Sequence, residues 1–453
     1  MGDLKTLLDL NFLKIRFNGF DYNPNALHPA INHLARFLKQ NVKSTSPFIL
    51  LSAYNHIKTI IAYYAILKAG KIVVILDPAC RTLEMAEIIE DIDPAAIIYL
   101  NSSSLKFNYQ EEIVFRKSSK VFIIKSELKD VCTIMYTNAE DGYSKGAMLS
   151  HINLLTEIKA IIETIRLDQC SVSFSLLPFA HLFGFVLGVL IATHSGGSSV
   201  ITELNMLKLA ETIENIALFK ATHVYSVPSV YYLMSKHEQA RECLKNVKMF
   251  ISGGTKLPQF IFEGFERRVN HRIFEGYGLT ESSPACIFNK LDDGPRVETI
   301  GKPIANSEIK IMDDKGAECK LNEVGEIWVK GDLIFKGYFN QEETTNEKLT
   351  DGWLHTGDYG KIDGDGFIYY CGLKKSMINV AGNKVFPKKI ERLIRVNKNV
   401  VDVTAFSEES ALQGQILGIK VKLRDNSLKS QDEFKNWCLE NITITIIPKW
   451  IFS

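Results

Sequence analysis

The spacing of apolar and polar positions divides the chain into regions of different texture. "FILLSA" (Phe48–Ala53) is a continuous apolar run. "HIKTIIAYYAILKAG" follows with helical periodicity and ends at Gly70, and "KIVVILDP" (Lys71–Pro78) is a second apolar run stopped by proline. Strands that are apolar on both faces belong to a parallel sheet covered on both sides, so this stretch predicts a βαβ unit. The pattern recurs in "AAIIYL", "VFIIK" and "CTIMYT", followed by a helix over 151–165. It continues with "SVSFSLLP", a helix over 184–193, "SSVIT", a helix near 205–218, "ATHVYSV" and "VKMFISGG". The expected fold class is α/β, with a large body of layered βαβ subdomains.

From about Asn306 the texture changes. "SEIKIMD", "GEIWVKG" and "GFIYYCG" alternate like half-buried strands, and "DDKG", "NEVG" and "DGDG" supply turns between them. A small β subdomain is expected over about 306–371, closing an N-terminal domain of residues 1–371. The boundary falls in "GDYGKIDGDGFIYYCG". Beyond it, helical "KVFPKKIERLIRVN" and "DEFKNWCLENI" with strands "VVDVTAFSE" and "ILGIKVKL" predict a small, mobile α+β C-terminal domain over 372–453.

Composition narrows the function classes. The 453 residues exceed one ordinary core. Hydrophobic residues at 46% and charged residues at 23% fit a soluble globular chain, and a net charge of +1 without a basic stripe argues against a nucleic-acid partner. Eight scattered cysteines without a CxxC pair read as reduced thiols of a cytoplasmic protein. The N-terminus carries acids and no continuous apolar stretch, so no secretory signal is expected; its MGxxxT start fits only a bare myristoylation pattern. Leu176–Thr193 is the most apolar stretch. Pro178, His181, Gly184 and Gly188 interrupt it, and it falls short of the ~20 residues of a spanning helix, so a buried core segment is expected.

The candidate chemistry begins at "MYTNAEDGYSKGAMLSH" (Met135–His151), an apolar strand, a loop, a lysine-glycine pair and the start of a helix. Backbone N–H groups around Gly142 could hold phosphate oxygens with Lys145 supplying positive charge; a plain polar strand-to-helix loop is the alternative. "LPFAHLFGF" sets His181 in an apolar segment, as a ligand-facing or a core histidine. "ISGGTKLP" ends a strand in Gly253 and Gly254, which permits close backbone approach. "FEGYGLTESS" offers Tyr277 as a stacking face and Glu281 as an oxygen ligand for Mg²⁺, or else a turn capped by Thr280. "DGWLHTGDYG" puts Asp358 on a turn, where a carboxylate can accept two ribose hydroxyls.

In this order, together with GKP, GEIWVKG…KGY and a late GNKVFPKKIE, these motifs are similar to the adenylate-forming superfamily. That superfamily comprises acyl- and aryl-CoA synthetases, peptide-synthetase adenylation domains and luciferases. The resemblance runs from about Asn32 to the end of the sequence. It implies a two-step ligase: a carboxylate attacks the α-phosphate of ATP to give an acyl-adenylate, and a thiol of CoA or of a carrier-protein phosphopantetheine then displaces AMP. By the same resemblance Thr137, Lys145 and the loop around Gly142 face the phosphates. His181 sits between the acyl pocket and the reacting carboxylate. Gly253, Gly254, Glu275, Gly276, Tyr277 and Gly278 frame the adenine, Thr280 meets the α-phosphate, Glu281 holds Mg²⁺ and Asp358 grips the ribose. The small domain is expected to swing about Gly372. No carboxylate lies in Phe179–Phe183 to meet an ammonium group, so a fatty or aryl acid is favoured over an amino acid.

The sequence also departs from the family pattern. Where the phosphate loop usually reads YTSGTTGxPKG, this chain has Ala139, Glu140, Asp141 and Ser144. Carboxylates repel a triphosphate, by about 1 kcal/mol for each like pair ~4 Å apart in water. The hinge arginine is Leu373, and the sequence ends at "IIPKWIFS", before the stretch that would carry the family's bridging lysine. Two functions are therefore carried forward: an attenuated AMP-forming acid–thiol ligase, and a non-catalytic protein of the same fold holding an acyl group, an AMP-like ligand or a carrier-protein arm.

Overall fold

A computed structural model describes residues 4–11, 13–17, 19–100, 112–116, 128–138, 144–202, 208–373, 378–380, 383–385, 387–410, 414–425, 427–442 and 448–452. Two large sheets form its body. The six-stranded sheet runs, in spatial order, Ile113–Phe115, Ala96–Ile98, Phe48–Ser52, Ile72–Leu76, Val131–Asn138 and Ser144–Ser150. Its inner strands are parallel, and the two edge strands are antiparallel to their neighbours. The nine-stranded sheet has Ile273–Tyr277, Met249–Ser252, His223–Ser226, Val172–Ser175, Ser198–Ile201 and Lys14–Phe17 as its parallel stretch.

Continuous apolar strands serve two cores at once. In Phe48–Ser52, Ile49 and Leu51 enter the main core while Phe48 and Leu50 enter the core on the other face. The main core joins residues of both sheets, such as Val73 and Ile251, with Ile327 and Leu354 of the β subdomain. Helix Ile57–Lys68 is the crossover of the first βαβ unit, and Ile57 through Leu67 are all buried. A helix apolar all round requires such a setting. Its single early charge, Lys58, is fully buried and paired with Glu112 at 2.6 Å.

The segment expected as a helix over 184–193 is one helical run, Leu182–Phe185, a wider π turn Val186–Leu190, and Ile191–His194. The helix expected near 205–218 is described as Leu209–Leu218. "VFIIK" lies outside the described residues. The β subdomain pairs Glu308–Met312, Gly325–Lys330, Trp353–Ile362, Leu349–Thr350 and Ile368–Leu373 into an antiparallel sheet. The stretch read as a domain boundary is thus a hairpin within this sheet.

The last region has its own sheet, with Val400–Ser410 antiparallel to Gly414–Leu423 and Lys449–Phe452 parallel to the latter. Helices Pro387–Arg395 and Leu428–Asn441 accompany it, and Ile394, Ile419, Phe434 and Cys438 lie in its core. It rests on helix Thr82–Ile92 of the large body. Leu83 packs on its core, Arg392 Nη2 donates to Glu87 Oε2 at 3.0 Å, and Nη1 donates to Oε1. Among the described residues no helix is long and apolar enough to cross a membrane.

Candidate active site

Gly253 and Gly254 follow the parallel strand Met249–Ser252 of the nine-stranded sheet and Tyr277 ends its neighbour, at the edge where α/β sheets usually hold ligands. Ser252 and Glu275 are register partners, so Gly253, just past its strand, lies beside Gly276 near the end of the neighbouring one. Phe183 covers Gly253 closely: a Cβ there would stand 2.9 Å from the ring, so a larger residue would require the ring to shift. Gly254 has φ of +78° and nothing within 4 Å of where its Cβ would be, which leaves its backbone open on that side.

Tyr277 ends its strand half-buried, and its phenol donates to Asp358 Oδ2 at 2.6 Å. The two residues come from separate motifs and separate sheets. Asp358 is only 3% exposed, and its own N–H donates to Thr356 Oγ1 at 3.1 Å. Burial, with the Asp358 charge behind it, raises the Tyr277 phenol well above its ordinary pKa, so it remains a donor.

At the other end, Thr280–Ser282 forms a single tight turn. Tyr338 donates its phenol to Glu281 Oε1 at 2.7 Å, and the N–H of Phe335 donates to the Glu281 carbonyl at 2.9 Å. The Lys145 ammonium lies over the Tyr338 ring, 5.9 Å from its centre. Tyr338 therefore joins Lys145 to Glu281. Its KGY motif carries no sequence signal for this role.

The helix expected over 151–165 is His151–Ile165, and the lysine-glycine pair precedes it. The pair lies on the antiparallel strand Ser144–Ser150, Lys145 opposite Thr137, and helix His151–Ile165 begins only after that strand. The segment carrying Lys336–Phe339 covers the strand's other edge: Met148 N–H donates to the Gly337 carbonyl at 2.9 Å and Phe339 N–H to the Gly146 carbonyl at 2.8 Å. Gly142, Glu140 and Asp141 lie outside the described residues.

His181 precedes helix Leu182–Phe185 and is solvent-exposed, yet protein surrounds it closely enough that desolvation holds its imidazole below the ordinary pKa against the pull of Asp77. Asn55 fixes its segment. The Asn55 amide donates to the carbonyls of Leu177 at 2.9 Å and Thr202 at 3.0 Å, and its oxygen accepts from Phe179 N–H at 2.7 Å. No sequence signal singled out Asn55. Glu275 is placed differently from Tyr277: its buried carboxyl accepts from Leu257 N–H at 2.8 Å, and burial pushes its pKa up to about 8. It braces the loop that follows Gly254.

A model of a family described as AMP-binding enzyme matches residues 18–339. The chain is similar to a long-chain-fatty-acid–CoA ligase of Haemophilus influenzae, at 30% identity over 332 residues covering 71% of this chain and 58% of the relative. It is similar to a long-chain-fatty-acid–CoA ligase of Salmonella typhimurium, at 26% identity over 444 residues covering 86% of this chain and 79% of the relative. The match thus spans less than two thirds of the Haemophilus protein. Among solved structures, it shares the fold of a double mutant of o-succinylbenzoate CoA synthetase from Bacillus subtilis bound with its product analogue, with a TM-score of 0.84, 20% identity, and coverage of 99% of this chain and 94% of that one.

Proposed function

Because the chain belongs to the AMP-binding enzyme family, and to the acyl-CoA ligases by its relatives, we propose that it activates a fatty or aryl carboxylic acid with ATP and passes the acyl group to a thiol. In the first step a carboxylate oxygen bonds to the α-phosphorus, the bond to the bridging oxygen breaks, and pyrophosphate leaves. In the second the thiol sulfur bonds to the acyl carbon and AMP leaves. The acceptor is CoA, or the phosphopantetheine arm of a carrier protein.

The observation that supports this reading is that candidate residues from separate motifs meet in two groups. Tyr277 and the buried Asp358 meet in one, as a base and a ribose would require. Glu281, Tyr338 and Lys145 meet in the other, as phosphates would require. Thr280 adjoins Glu281 as a donor for the α-phosphate, and Thr137 faces Lys145 across the strand pair. Glu281, half-exposed and with one oxygen fixed by Tyr338, suits Mg²⁺, which takes a carboxylate or two and completes its shell with phosphate and water. The ion would neutralise phosphate charge when bound. His181, which precedes helix Leu182–Phe185, would line the path between acid and phosphate. Rotation of the small domain about Gly372, whose φ is +134°, would exchange the two half-reactions.

Glu140 and Asp141 favour a second reading, a protein that holds an AMP-like ligand without making an adenylate. Pyrophosphate release across a panel of fatty and aryl acids separates the two: release that depends on an acid supports the ligase, and none with any acid, alongside measurable AMP binding, supports the second. The nucleoside assignment is tested by Tyr277→Ala. Calorimetry should show AMP bound about 1–3 kcal/mol more weakly, the worth of one aromatic face on a base. Unchanged affinity would remove Tyr277 from the adenine site.

A further inference from the structure

Asp358 has a second aromatic neighbour, and a flaw in strand register puts it there. In the hairpin of Trp353–Ile362 and Ile368–Leu373, Asp358 pairs with Leu373 and Tyr359 with Gly372, but Gly360 pairs with Tyr370. Cys371 is the extra residue of a bulge. Directly opposed residues share a face, so Tyr370 stands on the same face as Gly360, and therefore on that of Asp358. With regular pairing Gly360 would oppose Cys371, and Tyr370 would point to the other face. Gly360 has no side chain to stand between Tyr370 and Asp358, and the diagonal separation is within reach of a tyrosine.

The rings agree with this placement. The centres of Tyr370 and Tyr277 lie 6.2 Å apart with planes inclined by 37°, and both rings pack against the main core beside the carboxylate. Burial first, then the charge of Asp358 and a hydrogen bond to it, hold the Tyr370 phenol well above its ordinary pKa. Two phenols thus converge on one buried carboxylate.

We propose that Tyr370 is a positioning residue for the nucleoside, orienting the Asp358 carboxylate toward the ribose hydroxyls while Tyr277 gives up its bond to Asp358 when a base arrives. This rests on the reading of these residues as a nucleotide site. A carboxylate offers about four lone-pair positions. One held by Tyr370 leaves enough for two ribose hydroxyls; one also held by Tyr277 crowds the remaining oxygen. The two tyrosines therefore have opposite effects: Tyr277 competes with the ribose for Asp358, and Tyr370 aims Asp358 at it.

Calorimetric titration of AMP and 2′,3′-dideoxy-AMP tests this, because only AMP carries the hydroxyls. Wild type should prefer AMP. Tyr370→Phe should weaken AMP by roughly tenfold, the worth of one hydrogen bond to a charged group, while leaving dideoxy-AMP nearly unchanged. Tyr370→Gln, which restores a donor, should recover part of the preference. Tyr277→Phe, which keeps the ring and removes the competing phenol, should hold or raise AMP affinity. Equal loss of both ligands in Tyr370→Phe would mean a merely structural role and overturn the proposal, as would an unaltered ratio. Binding of neither nucleotide by wild type would overturn the nucleotide reading and this proposal with it.

Discussion

The two groups of candidate residues, proposed to form a nucleoside end and a phosphate end, are built by different means. At the nucleoside end, Tyr277 is fixed by the register of a parallel sheet and Asp358 by an antiparallel one. A part-buried hydrogen bond joins them. At the phosphate end, Lys145 stands on an edge strand whose outer side is covered by the loop strand of Lys336–Phe339, and its link to Glu281 runs through the face and hydroxyl of one ring. Sheet register places the first end without help from phosphate. The second end presents positive charge beside a segment that carries two acids in the sequence. A site of this kind should recognise adenosine well and hold the triphosphate poorly.

The largest test removes the anchor of the better-built end. Asp358→Ala should weaken AMP roughly a hundredfold, since two bonds from ribose hydroxyls to a charged acceptor are lost. A change below about threefold in calorimetry, with the thermal transition intact, would break the distinction between the two ends.

The next effect is on stability. The Glu275 carboxyl, pushed by burial from its ordinary value of 4.5 up to about 8, keeps its proton when folded over a range in which the unfolded chain has released it. The folded state then binds more protons than the unfolded state, so stability falls as pH rises from about 4.5 to 8. Glu275→Gln keeps an acceptor for Leu257 N–H and has no proton to lose. Denaturation at pH 5 and pH 8.5 should show wild type losing on the order of a few kcal/mol more than the variant. Parallel slopes would show that Glu275 is charged in the folded protein.

At the phosphate end, the double change Glu140→Thr, Asp141→Thr should tighten ATP·Mg²⁺ by about 1 kcal/mol or more and leave AMP nearly unaltered. In wild type the expected order of affinity is acyl-AMP analogue, then AMP, then ATP. Tight ATP binding by wild type would contradict it. The smallest effect belongs to the contact between the small domain and helix Thr82–Ile92. Half-exposed ion pairs contribute up to about 1 kcal/mol, so Arg392→Glu should shift the small-angle scattering curve toward larger dimensions, and adding Glu87→Arg should shift it back. No recovery in the double variant would assign the docking to Leu83 and its neighbours instead.

Much of the architecture was legible because parallel strands covered on both faces must be apolar throughout, as in "FILLS" and "IVVIL". Tyr277 and Asp358 were legible one at a time, each from its own motif. Their hydrogen bond spans 81 residues and depends on two sheets meeting, which periodicity does not encode. The helix after "SKGAMLS" was legible, but that the run is itself a strand was not, because a short apolar run suits strand or helix equally. What decides it is pairing with Val131–Asn138 on one side and with the backbone of Gly337 and Phe339 on the other. Tyr370 left no trace in the sequence, since one unpaired residue in a hairpin sets the face it occupies.

The helix Ile57–Lys68 has a consequence for how the large body comes apart. Its side chains are enclosed on every side, within a core that includes residues of both large sheets and of the β subdomain. Neither sheet can be stripped away without exposing it, and on exposure it would be an apolar rod with one buried lysine released. The sheets should therefore melt together in a single transition. Amide exchange in Phe48–Ser52 and in Met249–Ser252 should report the same opening free energy, and fragments cut between the sheets should recover their structure only when mixed.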